Sequence, residues 1–207
     1  MLHFHCMKNK FLKSSINLVK NSYPDYTQEK LDEIAYGLEA LYLTITKMVV
    51  IIILASILGI LKECFILIIS YNLLRFTAFG IHASKSIYCL ISSLIFFIGG
   101  VYLIKYVEII FLIKVISTFI SVFCIAKYAP ADTEKRPLIN SKRRKKYKII
   151  TSITAIIYAV LIIIFSDYII SNYLLLGMIE VVIMIHPLTY KIFGHSYNNY
   201  KTYKYAV

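Results

Sequence analysis

Long apolar runs constrain the fold of this chain more than any other feature of its sequence. Six of them, each of roughly twenty residues, cover positions 41–61, 64–79, 86–104, 107–126, 149–170 and 173–193. A helix of about 20 apolar residues spans the hydrocarbon of a bilayer, where only helices and closed barrels satisfy the backbone. The pattern predicts an all-α polytopic membrane protein with about six transmembrane or membrane-embedded helices.

The composition supports the same conclusion. Of 207 residues, 59% are apolar and 16% are charged, whereas a soluble domain averages about 45–50% and about 25%. A domain of this size has too little interior to bury such an excess of apolar surface. We therefore expect one membrane-embedded domain over residues 1–207.

Basic residues are concentrated in one connection between apolar runs. Residues 127–148 carry nine lysines and arginines but only two acids, within a net charge of +12 for the chain. Because basic residues accumulate in cytoplasmic loops, we predict a cytosolic basic loop at 127–148 and cytosolic termini in a multi-pass protein of the plasma membrane. This distribution argues for topology rather than for binding of nucleic acid.

The first 38 residues are expected to form a cytosolic or interfacial amphipathic segment. Phe4, Phe11, Ile16 and Val19 fall on one helical face, and the lysines lie mostly elsewhere. This is the pattern of a helix lying on a membrane surface. The alternative is a loose basic tail.

Polar, reactive residues interrupt the apolar sequence between the second and third runs. His82 and Cys89 stand seven residues apart, and a cysteine beside a histidine can form an activated thiolate–imidazolium pair. A straight helix would separate them by roughly 10 Å, whereas proton transfer needs about 3 Å. We therefore predict a helix break near Gly80–Ser86, with Ser84 or Ser86 capping the next helix and Cys89 in or near its first turn. Alternatively, His82 serves a neighbouring subunit, or the pair is only a loop histidine and a structural cysteine.

No metal or cofactor is expected. The cysteines, Cys6, Cys64, Cys89 and Cys124, match no zinc or disulfide spacing. The remaining histidines are scattered along the chain without metal-ligand spacing.

Two blocks of this sequence resemble the accessory gene regulator B (AgrB) family, the membrane peptidases of Gram-positive quorum sensing. The first block has Phe79 where the family usually has a glycine, and its matching residues are Arg75, Gly80, His82, Ala83, Cys89 and Ser93. The second, "KYAPADTEKRPL", matches through Ala129, Pro130, Asp132, Glu134 and Pro137.

The resemblance implies a cysteine endopeptidase that needs no cofactor. His82 would be the base and Cys89 the nucleophile that cuts the tail from a small amphipathic AgrD-type peptide. The resulting thioester would then close to a thiolactone or lactone autoinducing peptide. A homodimer in the lipid bilayer is also implied.

Supporting roles follow from the same resemblance. Arg75 would bind substrate carboxylates or stabilise an oxyanion, Gly80 would shape the loop, and Ser93 is expected to pack between helices. The run Arg143, Arg144, Lys145 and Lys146 would hold an acidic substrate tail. Two other functions compete with this one: a small transporter lined by Arg75, His82 and Glu180, and a non-enzymatic membrane scaffold.

Overall fold

The structure, a computed structural model, describes residues 2–81, 86–133 and 137–203. Throughout these ranges the regular secondary structure is helical, apart from isolated bridge residues, among them the parallel bridge between Phe79 and Ala131. The helices are α1 (Leu2–Ser22), α2 (Gln28–Ile57), α3 (Leu61–Ala78), α4 (Ser86–Leu94), a π-helical segment (Ile95–Gly99), α5 (Gly100–Tyr106), α6 (Phe111–Tyr128), α7 (Ser141–Ile164), α8 (Ile169–Ile185), α9 (Pro187–Ile192) and α10 (Tyr200–Tyr203).

The chain forms two compact units, residues 1–54 and 55–207. In the first unit, α1 has 21 residues and confirms the predicted N-terminal helix. The Phe11 ring lies 5.3 Å from the Tyr42 ring of α2, and Leu31 is the buried apolar residue near the start of α2.

Six apolar helical stretches match the six predicted runs. Four are long and apolar enough to cross a membrane: residues 30–57, 87–106, 111–128 and 141–164. A shorter apolar helix is α8, and α3 has 18 residues that include Lys62, Glu63 and Arg75. Large apolar side chains on the outer faces are exposed, as on α6 at Phe111, Leu112, Ile116, Phe119 and Phe123. The chain is therefore an all-α polytopic membrane protein, as predicted.

The second unit is built on close contact between α3 and α8. A Cβ atom at Gly177 of α8 would lie 3.0 Å from Cβ of Ser70 on α3, so this position needs glycine for the two backbones to approach. Hydroxyls join the neighbouring helices: Tyr158 of α7 donates to the Ser70 carbonyl at 3.1 Å, and Thr151 bonds to Thr77 at 2.8 Å. Small residues and interhelical hydroxyl bonds are the usual means of packing helices within a membrane.

Two predicted boundaries were wrong. The basic residues 142–148 belong to α7 rather than to a loop, because the Asn140 side chain caps this helix by accepting from the Arg143 N–H at 3.1 Å. The sixth run does not continue to residue 193 as one helix. It ends at Ile185, because Pro187 disfavours a helical conformation at His186 and instead begins α9.

The helix ends divide the second unit into two poles. At one pole lie the connections 58–60, 107–110 and 165–168, where Lys105 pairs with Glu63 at 3.5 Å. There the buried Lys114 ammonium donates to the Ser166 carbonyl and to the Ser171 hydroxyl. The other pole, called the basic pole here, gathers the ends of α3, α6 and α8 and the beginning of α7. It contains Arg75 and the turn at Phe79 and Gly80 that follows α3.

Candidate active site

The helix carrying the first motif is broken, as predicted. α3 ends at Ala78, and the chain turns through Phe79 with φ +58° and Gly80 with φ +109°. α4 begins at Ser86. His82 and Ser84 lie outside the described residues, and Ser86 is the first helical residue of α4. α3 therefore does not continue through Phe79, Gly80 and Ile81 towards Cys89.

Gly80 occupies a position that no other residue fits. Its φ lies in a region that is essentially restricted to glycine. A Cβ atom there would stand 2.5 Å from the Met184 carbonyl oxygen and 3.0 Å from its carbon. Both the conformation and the close approach of α8 exclude a side chain.

Backbone hydrogen bonds fasten the turn to two distant segments. The Ala131 N–H donates to the Ala78 carbonyl at 2.9 Å, and the Ala131 carbonyl accepts from the Gly80 N–H at 2.7 Å. The Ile81 N–H donates to the Met184 carbonyl of α8 at 3.1 Å. Ala131 belongs to the second sequence block and follows a cis Ala129–Pro130 bond. Through the hydrogen bonds of Ala131 to Ala78 and Gly80, the second block meets the first at the residues that precede His82.

Arg75 completes this turn. From the last turn of α3, its guanidinium donates to the carbonyls of Phe79 and Ile81. These bonds tie the loop back to its own helix. A guanidinium has five N–H donors, so others are left for a substrate oxygen.

Cys89 is the fourth residue of α4, and its side chain is half-buried. The hydroxyl of Ser93 donates to the Cys89 carbonyl at 2.8 Å, and that of Ser92 donates to the same carbonyl at 3.1 Å. Ser93 therefore bonds to its own helix.

The basic run occupies the first turns of α7 beside the turn. Arg143, Lys145 and Lys146 are exposed, whereas Arg144 is half-buried, with its guanidinium 3.5 Å from the centre of the Tyr200 ring. The Tyr147 ring meets the Phe79 ring edge-on at 5.1 Å. The run thus lies on the helix that packs against the turn.

Asp132 and Tyr190 belong to this pole, although sequence reasoning assigned them no role. The Asp132 carboxylate is 3% exposed and accepts three backbone N–H bonds, from Leu138, Asn199 and Tyr200. The buried Tyr190 hydroxyl donates to the carbonyls of Ala131 and Asp132 at 3.2 and 3.0 Å. The signal in the sequence that Asp132 is important was its match to the family within the second block, "KYAPADTEKRPL".

Glu180, a residue of the competing transporter hypothesis, is buried within α8 near Gly100, and its Oε2 atom has no hydrogen-bond partner among the described residues. It therefore faces the protein. Over the residues that the structure describes, no three histidine, cysteine or acidic side chains are grouped to hold a metal.

Comparisons with known proteins match most of the chain. The family model described as Accessory gene regulator B matches residues 12–185. A putative AgrB-like protein of Clostridium acetobutylicum is 31% identical over 189 residues, which are 91% of this chain and 90% of that protein. One from Listeria innocua is 31% identical over 83% of this chain and 84% of its own.

A staphylococcal relative extends the comparison. The Accessory gene regulator protein B of Staphylococcus aureus (strain Newman) is 35% identical over 156 residues, 74% of this chain and 82% of its own. No solved structure matches the chain. The family model covers most of the chain, including the turn, Cys89 and the Ala131 block, and the chain belongs to the accessory gene regulator B family, which acts in quorum sensing.

Proposed function

We propose that this protein is a membrane cysteine endopeptidase that removes the C-terminal tail of a small amphipathic AgrD-like precursor. The observation that carries the proposal is the end of α3 at Ala78 and the non-helical turn at Phe79 and Gly80, which separate α3 from Cys89 on α4. A reactive pair of His82 and Cys89 needs such a departure from one straight helix, which would hold the two side chains roughly 10 Å apart. Hydrogen bonds fix the position of the Ile81 backbone, which immediately precedes His82 in the chain.

In the first step, the His82 imidazole takes the proton of the Cys89 thiol, and the thiolate attacks the carbonyl of the peptide bond before the tail. The tetrahedral intermediate then collapses. Its C–N bond breaks, the tail leaves as an amine protonated by the imidazolium, and a thioester remains on Cys89.

In the second step, a thiol or hydroxyl within the bound precursor attacks the thioester. The new ring bond forms as the Cys89 sulfur leaves, so a thiolactone or lactone is made without ATP. Water at the same carbonyl would give a linear acid instead. A site at the membrane boundary, where water is scarce, favours ring closure.

The basic pole supports a cytosolic location of this site in a plasma-membrane protein. Lysines and arginines dominate it, whereas the opposite pole balances three basic residues with three acids: Lys62, Lys105, Lys114, Glu63, Glu108 and Asp167. The positive-inside rule then puts the basic pole and both termini in the cytosol, with the six apolar helices spanning the bilayer. The amphipathic α1 lies on the membrane surface.

The basic side chains at the start of α7, from Arg143 to Lys146, bind the acidic tail of the precursor. Arg75 uses its remaining donors to stabilise the oxyanion or a substrate carboxylate. The active enzyme is a homodimer, which also admits a His82 that serves the partner's thiol.

The test is co-expression of the protein with its precursor. Cys89→Ala abolishes release of the tail, because the proposed thioester forms on the Cys89 sulfur. Cys124→Ala is the matched control, since Cys124 is also half-buried in an apolar helix but lies on α6. Normal processing by Cys89→Ala, with insertion and expression intact, would eliminate the enzyme and favour a transporter or scaffold.

A further inference from the structure

The turn before His82 depends on partners that are themselves held by a third segment. Gly80 and Ile81 bond to Ala131 and Met184. Ala131 lies in the connection 129–140 between α6 and α7, which has no regular secondary structure of its own over its described residues. The position of this connection therefore requires contacts from elsewhere.

These contacts come from the segment that follows α8, residues 186–203, called the α9–α10 segment here. The Tyr190 hydroxyl of α9 bridges the carbonyls of Ala131 and Asp132. Burial raises the pKa of Tyr190, so the hydroxyl stays protonated and continues to donate. One side chain thus fixes the same carbonyl that receives the Gly80 N–H.

Asp132 supplies the second contact. Its carboxylate accepts from Asn199 at 3.0 Å and from Tyr200 at 2.8 Å, and also from Leu138 at 3.2 Å. A buried carboxylate is stable only when its oxygens are bonded, so the α9–α10 segment and the 129–140 connection hold each other. Arg144 adds its contact with the Tyr200 ring.

We propose that Asp132 and Tyr190 are positioning residues, through which the α9–α10 segment holds the turn at Gly80 and Ile81, which leads into His82, in place for the reaction at Cys89. This inference rests on the proposed function. The α9–α10 segment lies beyond residues 12–185 matched by the family model. Neither residue touches the reacting atoms; both act through the Ala131 backbone.

A first experiment measures the loop itself. Hydrogen exchange of the Gly80 and Ile81 amides is followed in lipid nanodiscs for Tyr190→Phe and Asp132→Ala. Since a hydrogen bond contributes about 1 kcal/mol, we expect exchange at least about fivefold faster in each variant. Tyr158→Phe is the matched control, because it also removes a buried hydroxyl that donates to a backbone carbonyl, that of Ser70, and it should leave these amides unchanged. Exchange equal to that of wild type in both variants would overturn the inference.

A second experiment connects the turn to the thiol. The rate constant for alkylation of Cys89 by iodoacetamide is measured at neutral pH, by mass spectrometry of the peptide that contains it. A histidine base activates a cysteine thiol, so alkylation should be faster in the wild type than in His82→Ala. In Tyr190→Phe and Asp132→Ala we expect the rate to fall towards that of His82→Ala, with no such fall in Tyr158→Phe.

The two failures are distinguishable. Equal rates in the wild type and in His82→Ala would contradict the proposed catalytic pair itself, and the positioning role with it. A faster wild-type rate that persists in Tyr190→Phe and Asp132→Ala would leave the enzyme intact and refute the positioning role alone.

Discussion

Replacing Gly80 with alanine perturbs the turn at its tightest point. Two costs add in this variant. An L-residue at φ +109° occupies a sparsely populated backbone region, which costs about 1–3 kcal/mol. The new methyl group would also stand 2.5 Å from the Met184 carbonyl oxygen, and relief of such overpacking costs about 1–3 kcal/mol.

The two costs add to about 2–6 kcal/mol, which is more than the stabilisation that the hydrogen bonds of the turn provide. The backbone of the Gly80→Ala variant should therefore shift away from α8. We expect loss of the bonds from Gly80 to Ala131 and from Ile81 to Met184, because both require the present backbone path. Precursor cleavage should fall at least about tenfold, since a misplacement of about 1 Å costs about a hundredfold in rate.

The assay is tail release in membranes together with thermal unfolding in detergent. Gly99→Ala is the control: Gly99 lies in a helical backbone, and beyond that backbone and its chain neighbours no atom of the described residues lies within 4 Å of its Cβ position. Alanine there should be neutral or stabilising by up to about 1 kcal/mol. If Gly80→Ala unfolds and cleaves like Gly99→Ala, the reasoning about the turn is refuted.

Three further predictions concern the same pole. Phe79→Gly should be more stable than Phe79→Ala by about 1 kcal/mol, because only glycine relieves the left-handed backbone; equal unfolding temperatures would contradict this strain. Thr151→Val should cost about 0.5–1.5 kcal/mol by removing the hydroxyl bond to α3, measured by denaturant unfolding in detergent; unchanged stability would contradict it. Lys145→Gln with Lys146→Gln should raise KM for the precursor about fivefold at low salt and less at high salt, unlike Lys62→Gln at the opposite pole; a salt-independent effect would argue against binding of an acidic tail.

Much of the fold could be predicted because membrane helices are specified locally. Each apolar run alone determines a helix, since no other open structure satisfies the backbone in lipid. The break after α3 was predicted for a different reason. The hypothesis of a reactive His82–Cys89 pair requires the two side chains to meet, and one straight helix would hold them too far apart. Gly80, which occupies the turn, was a visible signal for it.

Each of the two wrong boundaries has a local signal in the sequence. Asn140 is a strong helix cap, and it announces that the basic run is helical. Pro187 announces the end of α8. The charge of the basic run and the hydropathy of the sixth run outweighed these two signals. The predicted loop at 127–148 and the predicted span at 173–193 were therefore too long.

The contacts that build the site are a different matter. Asp132 bonds to Asn199 across 67 positions, and Ala131 meets Gly80 across 51. No periodicity or spacing reports such pairs, because they follow from the packing of α3, α6 and α8. Resemblance identified both blocks as important, and only the fold brings them together.

The most direct measurement of the central claim is the mass of Cys89 during turnover. A precursor whose ring-forming residue is replaced by alanine cannot cyclise, so its acyl group should accumulate on the enzyme. We expect a hydroxylamine-sensitive adduct on the Cys89 peptide with the mass of the precursor lacking its tail, and no adduct in Cys89→Ala. Release of the tail by Cys89→Ala at the wild-type rate, or an adduct on another residue, would contradict the account.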